Sequence, residues 1–160
     1  MSVQVDVQRA CDNETVPDNS FVTAWLTRSV AEAGGPADAE LSVRIVNEDE
    51  MRSLNCAFRG KDKPTNVLSF PAGRIEGLPD DVPVQLGDIV VCASVVSDEA
   101  IEQDKAVADH WAHMLVHGTL HLMGYDHETD AEAVEMEALE TQILMKSGLK
   151  DPYLASGQNC

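Results

Sequence analysis

The chain has 160 residues, with 11 Lys+Arg against 28 Asp+Glu for a formal charge of −17, and is 44% hydrophobic but only 4% aromatic. That length suits one domain with a real core, and a near-average hydrophobic fraction excludes wholesale disorder despite the charge. No apolar run reaches the roughly 18 residues of a membrane span, the first residues (MSVQVDVQRACDNE) lack a basic segment followed by an apolar core, and the acidic total argues against a general phosphate-binding surface.

VQVDVQ (3–8) alternates apolar and polar residues and predicts a first strand. FVTAWLTRSVAEAG (21–34) repeats its apolar residues at helical spacing until Gly34-Gly35-Pro36 break the pattern, and LSVRIVN (41–47) predicts a second strand. Asn47 reads as an N-cap, with Glu48, Asp49 and Glu50 at the positive end of a helix running to about Phe58. RSLNCAFRGKDK (52–63) carries Arg52, Arg59, Lys61 and Lys63 against Asp62 alone, a basic island in an acidic chain. NVLSF (66–70) predicts a strand closed by Pro71, 72–87 a long surface loop, and the near-continuously apolar IVVCAS (89–94) a strand central in the sheet.

From about Ser97 onward the pattern is helical, in pieces over 96–104, 109–123 behind an Asp109 N-cap, and 129–146, where Met136, Leu139 and Ile143 form a stripe bounded by Gly148. Four strands and about five helices make an α+β single domain over 1–160, a roughly four-stranded mixed sheet packed with helices, with 148–160 as a loose tail. Cys11, Cys56, Cys92 and Cys160 are scattered without a C-x-x-C pair, and read as reduced thiols of a cytoplasmic protein.

All five histidines lie between residues 110 and 127, in HWAHMLVHGTLHLMGYDH. On a helix His110, His113, His117 and His121 share one face, and Trp111, Leu115, Gly118 and Leu122 the opposite one. No charge interrupts Trp111 to Tyr125, so this helix is expected at the centre of the domain with imidazoles as its polar stripe. A lone histidine is most often a hydrogen-bonded packing residue. Here His117 and His121, at i and i+4, point the same way, and Gly124 lets the chain turn to bring His127 back as a third nitrogen. That neutral set suits one zinc ion per chain with its fourth position open, although ligand type alone leaves iron and nickel possible. His113 and Asp126 are expected to steady the ligands from behind or to meet substrate, and His110, beside the helix start, to lie at the surface.

The spacing H-x-x-x-H-x-x-G-x-x-H is that of the metzincin zinc proteases, whose glutamate base directly follows the first histidine, a position held here by Gly118. Peptide hydrolysis thereby loses its base. A phosphodiester is better matched, because a Lewis-acidic metal and a guanidinium together neutralise its non-bridging oxygens. Arg59 can grip a phosphate in bidentate fashion, with Lys61 and Lys63 adding point charges. A zinc peptidase using another base, and a non-catalytic factor that binds RNA or protein with structural zinc, are the alternatives.

HMLVHGTLHLMGYDH (113–127) and RGKDKPTNVLSFP (59–71) resemble two signature blocks of the YbeY family of bacterial endoribonucleases. QLGDIVVCAS (85–94), EMEALE (135–140) and GLKDPY (148–153) resemble further family segments in the right order. The resemblance implies a single α+β domain, zinc at His117, His121 and His127, and Arg59 as the catalytic, phosphate-binding arginine. It also implies a metal-dependent endoribonuclease preferring single-stranded RNA, which acts on 16S ribosomal RNA, especially its 3′ end, and in ribosome quality control. Neither DNA nor a membrane is an expected partner. The family usually has Asp where this chain has Asn66, and the first 40 residues carry none of its motifs. The nucleophile is either a metal-bound water or the RNA's own 2′-hydroxyl.

Overall fold

β1 (Ser2–Arg9) alternates half-buried Val3, Val5 and Val7 with exposed polar residues, as the sequence pattern requires of a strand covered on one face. The structure is a computed structural model that describes residues 2–12, 16–72, 82–126 and 128–149. His127, residues 73–81 of the expected loop and residues 150–160 of the expected tail lie outside them. β2 (Asp38–Val46), β3 (Val67–Pro71) and β4 (Val84–Cys92) complete a four-stranded mixed sheet in the order β1-β2-β4-β3. β1, β2 and β4 run parallel, and β3 lies antiparallel on β4 at the edge, where Pro71 costs no ladder hydrogen bond.

Among the described residues five helices cover the sheet. α1 (Asn19–Glu32) connects β1 to β2 and starts at Asp18, whose side chain accepts from the Phe21 amide. α2 (Glu48–Arg59) is capped by Asn47 accepting from the Glu50 amide, as expected, and ends at Gly60 in the left-handed region, φ 70°. α3 (Ala93–Glu102) and α4 (Val107–Leu122) follow β4, and α5 (Asp130–Lys146) opens on a capping box between Thr129 and Glu132. On one sheet face Leu41, Val43, Ile45, Ile89 and Val91 meet Leu26 and Val30 of α1, Leu115 and Leu120 of α4, and Ile143 of α5. On the other, Met51 of α2 packs against Val46, Leu68, Val90 and Cys92. α4 is the most enclosed helix, with Trp111, Leu115, Val116 and Leu120 all fully buried. No helix among the described residues is long and apolar enough to cross a membrane.

Three boundaries differ from the sequence pattern. Residues 84–87 extend β4 rather than ending a loop, since exposed Val84 and Gln85 and a register shift at Glu40/Leu41 blur the alternation there. Ala93 and Ser94 open α3 rather than closing the strand. α4 begins before Asp109: Ala106 occupies the N-cap without a side-chain bond, and Asp109 sits in the first turn, where its charge still complements the helix dipole.

Candidate active site

The face of α4 turned toward the sheet is shaped by what Gly118 lacks. A Cβ there would lie 3.0 Å from Ile89 Cγ2 and 3.3 Å from Val67 Cγ2, and the Gly118 carbonyl accepts a hydrogen bond from Ser69 Oγ at 2.9 Å. The position directly after His117 is therefore sheet contact, with no room for a glutamate base.

The imidazole face holds the chemistry. His117 and His121 have ring centroids 4.6 Å apart, and their Nε2 atoms approach to 3.1 Å. His117 Nδ1 lies 2.6 Å from Glu140 Oε1, and His113 Nε2 lies 3.4 Å from the same oxygen. Glu140 projects from α5 and is fully buried. Burial alone would raise its carboxyl, but the hydrogen bonds and charge of His113 and His117 outweigh that and bring it down to about 2. An ionised carboxylate can only accept, so His117 Nδ1 donates, and its Nε2 is the nitrogen turned toward His121. Burial holds His113 below the ordinary imidazole range despite Glu140.

Two nitrogens bound tetrahedrally at about 2.0–2.1 Å from zinc stand roughly 3.3 Å apart. The observed 3.1 Å between the two Nε2 atoms, with a carboxylate on the far ring nitrogen of His117, fits such a donor pair. Among the described residues no three His, Cys, Asp or Glu side chains form a metal-binding group, and His127, the expected third ligand, is not one of those residues. Cys11, Cys56 and Cys92 form no disulfide.

A cleft of about 600 Å³ opens over these rings. Its lining includes His117, His121 and Asp126, Ser69 of β3, and Arg59, the last residue of α2. Two sequence blocks 54 residues apart (113 − 59) thus share one cavity. Lys61 and Lys63 are exposed on the loop that leads from Arg59 to Thr65 and Asn66 in the cleft wall, and are not themselves part of it. The basic island is divided, because Arg52 Nε is paired with Asp62 at 2.8 Å.

His110 is not at the surface as its position near the helix start suggested. It is 2% exposed, and its Nε2 lies 2.9 Å from Glu99 Oε1 on α3, because α4 starts early enough to carry this residue inward. Asn66 Nδ2 donates to the same carboxylate at 3.1 Å while Asn66 Oδ1 accepts from the Val67 amide at 2.7 Å. An amide suits this position because it can donate to Glu99, which an ionised Asp could not. Glu99 and Glu140 are the site-supporting residues that sequence reasoning missed. Glu140 did leave a signal: a charge four residues after Met136 and three before Ile143, inside an apolar stripe.

The chain is similar to known proteins in sequence and in fold. Residues 6–148 match the family described as Endoribonuclease YbeY. A curated relative from Halorhodospira halophila (strain DSM 244 / SL1), named Endoribonuclease YbeY, is 58% identical over 139 residues, 87% of this chain and 89% of the relative. The solution structure of TM1509 from Thermotoga maritima is similar with a TM-score of 0.57 at 28% identity, covering 91% of this chain and 88% of that one.

Proposed function

The chain belongs to the YbeY family of endoribonucleases, and from that premise we propose that it is a zinc-dependent, single-strand-specific enzyme of the cytoplasm that matures the 3′ end of 16S ribosomal RNA and serves ribosome quality control. Membership makes it a nuclease hydrolase acting on RNA, and in this reading residues 1–160 form a single domain that acts on the ribosomal substrate. The observation that carries the reading is the pair of Nε2 atoms 3.1 Å apart in the same cleft as Arg59.

In this reading His117, His121 and His127 hold one zinc ion per chain, which when bound supplies Lewis acidity to the non-bridging oxygens of a phosphodiester. Glu140 fixes the His117 tautomer and ring orientation, with His113 on the same carboxylate and Asp126 beside the third ligand. Arg59 grips the phosphate from its place in the cleft wall, orienting it and countering charge that develops in the transition state. Lys61 and Lys63 draw the RNA strand toward that wall. Gly118 removes the support for peptide hydrolysis by a glutamate next to the first ligand.

The test is cleavage of end-labelled single-stranded ribosomal RNA by metal-quantified protein, with variants prepared in parallel to expose contaminating nucleases. His117→Ala should lose metal and cleavage together, and Glu140→Gln should weaken zinc affinity roughly 10–100-fold. Arg59→Glu should keep the metal and abolish cleavage. Normal cleavage by Arg59→Glu, or full zinc binding by His117→Ala, would remove the assigned roles.

A further inference from the structure

Phe58 is the one aromatic among the large hydrophobic side chains left exposed in the described residues, at 65%. It does not swing freely, because its ring meets Phe70 of β3 edge-on, with centroids 5.0 Å apart and planes at 66°. Phe70 in turn packs against the cluster around Met51 and Leu68 under α2, so the exposed ring stands on a fixed base. The next residue, Arg59, lines the cleft that contains His117 and His121. Neighbouring side chains on a helix diverge by about 100°, so the Phe58 ring stands outside the cleft, next to Arg59 in the chain and over Phe70, whose neighbours Ser69 and Pro71 both line the cleft.

That pairing matches the two recognition elements of a nucleotide, an anionic phosphate and an aromatic base one sugar away. We propose that Phe58 is a stacking platform for a nucleobase of single-stranded RNA, the one adjoining the phosphate gripped by Arg59; this rests on the reading of the cleft as the site of RNA cleavage. Every base has a π face, so the platform tolerates sequence. It requires a base that is out of its own stack, which an A-form duplex does not offer, and so it gives single-strand preference a physical origin. Stacking is uncharged, which matters in a chain of net charge −17 that repels phosphate at long range.

The experiment measures KM and kcat for an end-labelled single-stranded ribosomal RNA oligonucleotide, in which one abasic nucleotide is moved along the strand. Native protein, Phe58→Ala and Phe58→Trp are compared, with thermal melts in parallel. Phe58→Ala should raise KM roughly ten-fold or more with little change in kcat or melting temperature, and Phe58→Trp should behave as native. In the native protein one abasic position should raise KM by a similar factor, and in Phe58→Ala the same position should cost nothing further. If native protein cuts RNA while Phe58→Ala keeps its KM and the same abasic profile, the platform is wrong and the enzyme reading stands. Equal losses in Phe58→Ala and Phe58→Trp also overturn it. Absence of any cleavage by native protein removes both.

Discussion

Deleting the Glu99 carboxylate would strand a buried imidazole, since His110 is 2% exposed and its Nε2–H donates to Glu99 at 2.9 Å. Glu99→Ala should therefore cost about 1–3 kcal/mol at neutral pH, the usual penalty for an abandoned buried partner. Burial raises the Glu99 carboxyl, yet hydrogen bonds from His110 and Asn66 and the charge of His110 and His113 leave it below its ordinary value of 4.5. Lys105 also faces it. A carboxylate depressed by folding contributes stability that is present above its unfolded pKa and lost as pH falls through the folded one. The difference in melting temperature between native protein and Glu99→Ala should thus be full at pH 7 and shrink below pH 4.5, whereas an unchanged gap in acid would mean the cost is packing alone. At this scale the sequence showed the imidazoles but not their partners. Spacing along one helix reveals which side chains share a face, but Glu99 and Glu140 arrive from α3 and α5, and nothing in the local pattern of α4 specifies which residues those helices present.

Gly118 is where one element is fitted to another, and it separates two kinds of substitution. An alanine gains helix propensity of about 1 kcal/mol while its Cβ meets Ile89 and Val67 at 3.0 and 3.3 Å, so Gly118→Ala should be close to neutral. A β-branched side chain cannot be absorbed by a small shift, and Gly118→Val should lower stability by about 1–3 kcal/mol in urea unfolding. A native-like midpoint for Gly118→Val would show that α4 can stand off from β3 and β4. Elements were legible where chemistry is local. Asn47 and its acidic followers marked the start of α2, and the Val alternation marked β1. Boundaries failed where neighbours decide. The first residues of β4 are exposed and pass through a register shift against β2, and α4 starts at Ala106, which has no capping side chain to announce it.

For the whole molecule, counting patterned segments was enough for an α+β sheet with five helices, but not for the order β1-β2-β4-β3. Parallel pairing joins residues far apart in sequence, such as Val43 with Ile89, and no local pattern encodes that register. Charge is likewise a property of the whole, and here it opposes the site. A net −17 repels RNA out to roughly the Debye length, about 10 Å at 0.1 M salt and longer in more dilute salt, while Arg59, Lys61 and Lys63 attract it only on close approach. Added salt should then act oppositely on the two halves of binding. Between about 50 and 200 mM salt, association with single-stranded RNA should accelerate in stopped-flow mixing as the long-range repulsion is screened, and dissociation should accelerate more as the local contacts weaken. Three cations at about 0.7 each set the slope of log affinity against log salt near −2. A stacked base adds affinity without steepening it, since no counterion is released by Phe58. An association rate that falls with salt, or a slope much steeper than −2, would place the main RNA contacts on a basic surface other than the one beside the cleft.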